Sequence, residues 1–124
     1  MIYLDTHVVV WLYAGHIENI SVTAQSHINE NDIYISPIVR LELQYLFEIE
    51  RITQKPQTVL SDLADNIGLK ICSKDFNQII TKAQSITWTR DPFDRIIVAH
   101  TALNNDILLT KDQTILTHFQ QAVW

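Results

Sequence analysis

The sequence predicts an α/β fold with a mainly parallel sheet. Three observations carry that expectation. Short apolar runs alternate with longer stretches of helical periodicity. Ser-Pro, Lys-Pro and Asp-Pro pairs stand where helices should start, and proline suits the first helical turn. Apolar residues make up 47% of 124, enough for one core and one domain over 1–124, with no linker, repeat or low-complexity tract to divide it.

The elements follow in order. MIYLD (1–5) is a short apolar strand, and Thr6 is placed to cap a helix to about Tyr13. A second helix fits 22–31. DIYIS (32–36) is a strand with alternating isoleucines. Ser36-Pro37 reads as cap and first helical residue of a helix to about Arg51. Lys55-Pro56 opens a helix that ends near Gly68. LKICS (69–73) is a third strand, followed by a helix over 75–85. Asp91-Pro92 opens a helix to about Asn104, with Asp94 placed to complete a capping box. ILLT (107–110) is a fourth strand, Asp112 caps a helix to about Phe119, and AVW (122–124) supplies a fifth strand.

Composition narrows the chemistry. Two glycines leave no GxGxxG and no GxxxxGK[ST], and neither GxSxG nor HExxH occurs. The single Cys72 excludes an internal disulfide and any multi-cysteine metal site. The longest apolar run, about Val8 to Ala14, falls short of the roughly 18–20 residues of a membrane span. MIYLD lacks the basic start of a signal peptide, so the expected compartment is the cytoplasm. The net charge of −5 argues against a nucleic-acid binder in bulk. If four of the 14 acidic residues surround bound cations, however, 10 remain against 9 basic ones, a balance of −1.

In a parallel α/β sheet the ligand site lies beyond the carboxyl ends of the strands. That rule selects Asp5, Ser36, Thr110 and Asp112, with Asp91 and Asp94 opening the helix before the fourth strand. Glu42 comes from its helix. Arg40, Gln44, Glu48 and Arg51 form a polar stripe, and Glu42 falls roughly 160° from its middle, on a side shared with Ile38, Leu41, Tyr45 and Ile49. An inward carboxylate needs a partner or a cation. Asp5, Asp91 and Asp112 each read equally well as helix caps when taken alone. Brought together, carboxylates ~4 Å apart repel by ~4 kcal/mol at an effective dielectric near 20. Such a cluster calls for a hard cation, Mg²⁺ or Mn²⁺. Cations of that kind suit hydrolysis of a phosphate ester or diester.

DTHVVVW (5–11), SPIVRLE (36–42), RDPFDRIIVAHTAL (90–103) and LLTKD (108–112) resemble, in order and spacing, the four motif regions of PIN domains. The likeness is strongest to the VapC-type toxins of toxin–antitoxin pairs. It implies a three-layer α/β/α sandwich and a Mg²⁺- or Mn²⁺-dependent endoribonuclease that uses a metal-activated water. The family's acidic quartet falls on Asp5, Glu42, Asp94 and Asp112. Thr6, Ser36 and Thr110 fall on its supporting polar positions, and Asp91 on an extra acid common in its DPFDR subgroup. His100 stands where many relatives have glutamine and reads as a core histidine. Arg95, Lys111 and Arg90 are placed to contact RNA phosphates, or are plain surface charges.

The resemblance also implies an antitoxin partner and, commonly, a homodimer or toxin–antitoxin hetero-oligomer. Leu46, Phe47 and Ile49 fit either a partner surface or a core. His7 reads as structural, Trp11, Trp88 and Trp124 as core or interface, and Cys72 as a small buried residue. One rival is a PIN-like module that binds RNA or protein without catalysis. Another is a receiver-type phosphoacceptor domain, which wants an acidic pair after the first strand and an Asp ending a middle one; here Thr6-His7 and Cys72-Ser73 stand at those places.

Overall fold

In the computed structural model, which describes residues 1–124, five parallel strands form one sheet in the order β3-β2-β1-β4-β5. The strands are β1 (Ile2–Leu4), β2 (Ile33–Ile35), β3 (Lys70–Ile71), β4 (Ile107–Leu109) and β5 (Ala122–Val123). Ile2, Tyr3 and Leu4 of the central β1 are all buried. An unbroken apolar run is what a parallel strand covered on both faces requires. The edge strand β3 is exposed at both residues.

Seven helices flank the sheet to give the α/β/α sandwich. They are α1 (Thr6–Ala14), α2 (Val22–Glu30), α3 (Ile38–Glu48), α4 (Pro56–Ile67), α5 (Phe76–Gln84), α6 (Pro92–Ala102) and α7 (Gln113–His118). A single 3₁₀ turn, Ile17–Asn19, went unforeseen. None of these helices is long and apolar enough to cross a membrane.

The chain builds outward from β1 to β2 and β3, then returns to place β4 on the other side of β1. The crevice at this reversal lies between the carboxyl ends of β1 and β4. Backbone pairing carries the two strands to a common end, with Asp5 N–H donating to Leu109 O at 3.0 Å.

Several local expectations are corrected. Asp5, not Thr6, caps α1, because the Asp5 carboxylate accepts the Thr6 N–H at 2.8 Å. Helix α3 starts at Ile38 with Pro37 in the cap position, one residue later than a Ser36 cap would give. It stops at Glu48, because Glu50 turns into the left-handed region (φ 62°) and the Arg51 and Ile52 amides both return to Leu46 O. The inward line of α3 is Val39 and Leu43; Leu41, Tyr45 and Ile49 face out. Gly68 ends α4 at φ 71°, where a side chain would be strained. The third strand shrinks to two residues.

Candidate active site

Two chain reversals build the site. At the first, Asp5 ends β1 and caps α1. At the second, Thr110 and Asp112 follow β4, and Asp112 caps α7 through the Ile115 N–H at 3.0 Å. One hydroxyl joins them. Thr110 Oγ1 donates to Asp5 Oδ2 at 2.6 Å and accepts the Asp112 N–H at 3.0 Å. Thr110 is fully buried, so both bonds are made away from water. Asp5 itself is 4% exposed and accepts at both oxygens.

Thr6 does for α3 what Thr110 does for β4. Its hydroxyl donates to Glu42 Oε1, fixing the half-buried Glu42 beside α1. At the start of α6, Asp91 accepts the Phe93 N–H at 2.8 Å and the Asp94 N–H at 3.4 Å. Asp94 makes no return bond to the Asp91 amide, which donates instead to Thr89 Oγ1 at 3.2 Å. The expected capping box is therefore absent. The Asp94 carboxylate receives no donor from the protein at all.

These groups share one cavity of about 430 Å³. Asp5, Glu42, Asp91, Asp94 and Asp112 line it together with Thr6, His7, Trp11, Leu46 and Arg51. A larger depression of about 940 Å³ between α3 and α4 carries no carboxylate. Burial pushes Asp94 up to about 7, helped by the negative charges of Asp5, Asp91, Asp112 and Glu42. Burial raises Glu42 too; the Thr6 hydroxyl opposes it, and Asp5 and Asp91 add to it. No three of these side chains are already arranged as a closed cation cage. The donor set nonetheless suits a hard divalent ion: carboxylate oxygens only, one of them without a hydrogen-bond donor, in mutual repulsion.

Other expected residues lie elsewhere. Ser36 is buried against His100, with Oγ and Nδ1 2.9 Å apart, and does not reach the acids. Burial and the Lys74 charge lower the His100 pKa, while its bond to Ile96 O opposes them; this is the satisfied core histidine. Arg95 donates to Ala83 O at 3.1 Å and Gln84 O at 3.5 Å, pinning α6 to the end of α5, where Ala83 O also accepts the Ile86 N–H. Arg90 donates to Thr87 O at 3.1 Å. Neither arginine lines the cavity. Lys111 Nζ stands 5.8 Å from the Trp11 ring centre, at the cavity's margin. Two cavity residues, Arg51 and His7, were missed. Arg51 reads from the sequence as part of a solvated stripe; it is exposed, and the end of α3 at Glu48 leaves it at the rim of the cavity. His7 had a signal, its place two residues after Asp5.

The PIN domain family profile matches residues 2–118. The chain belongs to the PIN domain family. No curated protein matches it significantly in sequence. Among solved structures it resembles VapBC2 from Rickettsia felis bound to a DNA fragment from its promoter, at 22% identity and a TM-score of 0.65, covering 100% of this chain and 98% of that one. It also resembles a toxin–antitoxin complex from Klebsiella pneumoniae, at 17% identity and a TM-score of 0.73, covering 100% and 97%. At these identities the likeness establishes the PIN fold of the chain.

Proposed function

We propose that this PIN domain is a Mg²⁺- or Mn²⁺-dependent endoribonuclease and the toxin of a toxin–antitoxin pair. One observation carries the proposal: four carboxylates from four separate helix starts and helix faces line one cavity at the sheet's reversal point, and Asp94 among them has neither a donor nor a counter-charge. Folding brings like charges together at a cost, and a cationic ligand relieves it.

Asp5, Glu42, Asp94 and Asp112 would hold the cation. Bound there, it would neutralise phosphate charge and lower the pKa of water. The chain's own residues prepare the site. Thr110 and Thr6 hold Asp5 and Glu42 as acceptors in fixed orientations. Asp91 shapes the first turn of α6 and so sets Asp94. Arg51 offers the cavity a positive group for the phosphodiester, with Lys111 at the margin.

An antitoxin is the proposed protein partner, as in the complexes that share the fold. Leu41, Tyr45 and Ile49 form an exposed apolar stripe on α3, and Leu46 turns into the acidic cavity. Of Leu46, Phe47 and Ile49, which the sequence leaves open between partner surface and core, only Ile49 is exposed. Binding an antitoxin over the α3 stripe would place it beside the acids. Light scattering of the toxin alone and of the pair tests homodimer against hetero-oligomer.

The deciding experiment exposes a total cellular RNA pool to the antitoxin-free protein with Mg²⁺ or Mn²⁺, against EDTA and a folded Asp94→Asn control. Discrete metal-dependent cuts, absent from the control, are the expected result. No cuts, or equal cuts by the variant, would move the protein to the non-catalytic binding reading.

A further inference from the structure

His7 sits where the two halves of the site meet, and nothing above gives it a task. Its Nε2 accepts the Lys111 backbone N–H at 3.0 Å, across 104 residues of chain. A neutral imidazole accepts at one nitrogen only when its proton is on the other. The ring proton is therefore on Nδ1. That nitrogen lies 3.6 Å from Asp5 Oδ2, too long for a hydrogen bond but close enough to direct a positive dipole at the carboxylate. Trp11 and Trp124 hold the ring from the sides, with centroids 4.9 and 6.4 Å away.

We infer that His7 is a positioning residue that ties the Thr110–Asp112 loop to α1 and so fixes Asp112 relative to Asp5. The tie is independent of Thr110. Thr110 joins the Asp112 amide to Asp5 from inside the protein, whereas His7 holds the neighbouring Lys111 amide from the solvent side. Two bonds on successive amides stop the loop from pivoting about either one. The third hold is the Asp112 cap on α7, which leaves the loop no free end. Its purpose rests on the proposed use of Asp5 and Asp112 as cation ligands; the tie itself does not.

Two substitutions separate the nitrogens. Glutamine reaches about as far as Nε2 and keeps an acceptor for the Lys111 amide. Asparagine reaches about as far as Nδ1 and keeps only a donor towards Asp5. The test compares His7→Gln, His7→Asn and His7→Ala with the unmodified chain, each shown folded by its thermal transition. The first readout is the imidazole ¹⁵N spectrum at about pH 8.5, where an ordinary imidazole is neutral. It should show His7 protonated at Nδ1 and bare at Nε2. The second is Mg²⁺ affinity from amide shifts, with the Lys111 and Asp112 amides followed throughout. We expect His7→Ala and His7→Asn to weaken Mg²⁺ binding about tenfold, within the range for groups that orient metal ligands, and His7→Gln to recover most of it. Proton on Nε2 in the unmodified chain, or equal Mg²⁺ affinity in all four proteins, would overturn the inference. If the unmodified protein cuts no RNA yet shows these results, the nuclease reading fails and the tie stands.

Discussion

The molecule buries charge in two places and treats it in opposite ways. At Lys74 the charge is matched. Its ammonium, on a side chain 12% exposed, donates to Asp106 at 3.1 Å and to His100 O at 2.7 Å. It also lies 4.8 Å from the centre of the Tyr3 ring, and the second Asp106 oxygen faces the amino terminus at 3.6 Å. At the acidic cavity the charge is unmatched: five carboxylates share the walls with Arg51 and His7. The first centre holds the β3–α5 connection to the start of β4 and is complete as it stands. The second leaves Asp94 without a donor or an ion pair, the feature on which the proposed cation rests. An unpaired charge is thus a better guide to function here than burial or cavity size, since the larger depression beside α3 holds no acid.

Exchanging the roles of the two centres tests the contrast. The largest effect is expected at Asp94. Asp94→Asn should lower metal-dependent RNA cleavage by more than about 100-fold, because groups that merely orient metal ligands already cost 10–100-fold. Cleavage assays on folded protein check it. Lys74→Ala should do the reverse, costing about 3 kcal/mol of stability by leaving His100 O without its donor and Asp106 with only the amino terminus at 3.6 Å, with cleavage by the folded fraction unchanged. Denaturant unfolding measures the first part, and a cleavage assay below the transition measures the second. Loss of cleavage with normal stability would mean that the matched centre also serves function.

Thr110→Val removes the hydroxyl between Asp5 and Asp112 at nearly constant volume. It should reduce cleavage roughly 10-fold and stability by about 1–2 kcal/mol. The cleavage loss should exceed that of Ser36→Ala, whose hydroxyl serves His100 instead.

The pH dependence separates the centres without substitution. An Asp94 raised to about 7 binds its proton more tightly folded than unfolded. Its stabilising contribution is full below the ordinary aspartate value near 3.8 and is lost as the pH rises through about 7. Without divalent cations the melting temperature should therefore fall from pH 5 to pH 8 by a few degrees, on the order of 1 kcal/mol. Asp94→Asn should flatten that slope, and Mg²⁺ should restore stability at pH 8. The smallest effect is expected at Arg95. Arg95→Ala should cost about 1 kcal/mol by removing the tie between α6 and the end of α5 and leave cleavage alone. A clear rise in KM would return Arg95 to the phosphate-contacting role its sequence position implied.

The alternation of elements was legible because apolar runs and cap-plus-proline signals agree along the chain. Asp91-Pro92 and Lys55-Pro56 start helices where expected, and Gly68 ends one. Less legible was which of two capable neighbours makes a cap. Asp5 and Thr6 both have the chemistry, and only the packing of Glu42 against α1 assigns the hydroxyl elsewhere. Periodicity placed Glu42 on an apolar side of α3 but misread which apolar residues face in. Leu41, Tyr45 and Ile49 recur at helical spacing yet lie exposed, since a periodic stripe fits a partner as well as a core. The sheet-edge rule pointed to Asp5, Asp91, Asp94 and Asp112, the helix angle pointed to Glu42, and the quartet as a set came from the family resemblance; all five carboxylates line the one cavity. Side-chain directions escaped that rule: Arg95 follows Asp94 in sequence, but one step along a helix turns it about 100° away.

The Thr110–Asp5 bond has a consequence for the order in which the protein is made. Its partners are 105 residues apart, and the strand that delivers Thr110 is the fourth of five. A growing chain therefore carries Asp5, Thr6 and Glu42 long before it has the groups that hold Asp5 in place. Until β4 docks beside β1, the first acids are exposed side chains at the end of an unfinished sheet. Assembly of the acidic cavity thus waits for β4, and a chain interrupted before Thr110 would lack one of its carboxylates, Asp112, and the hydroxyl that fixes Asp5.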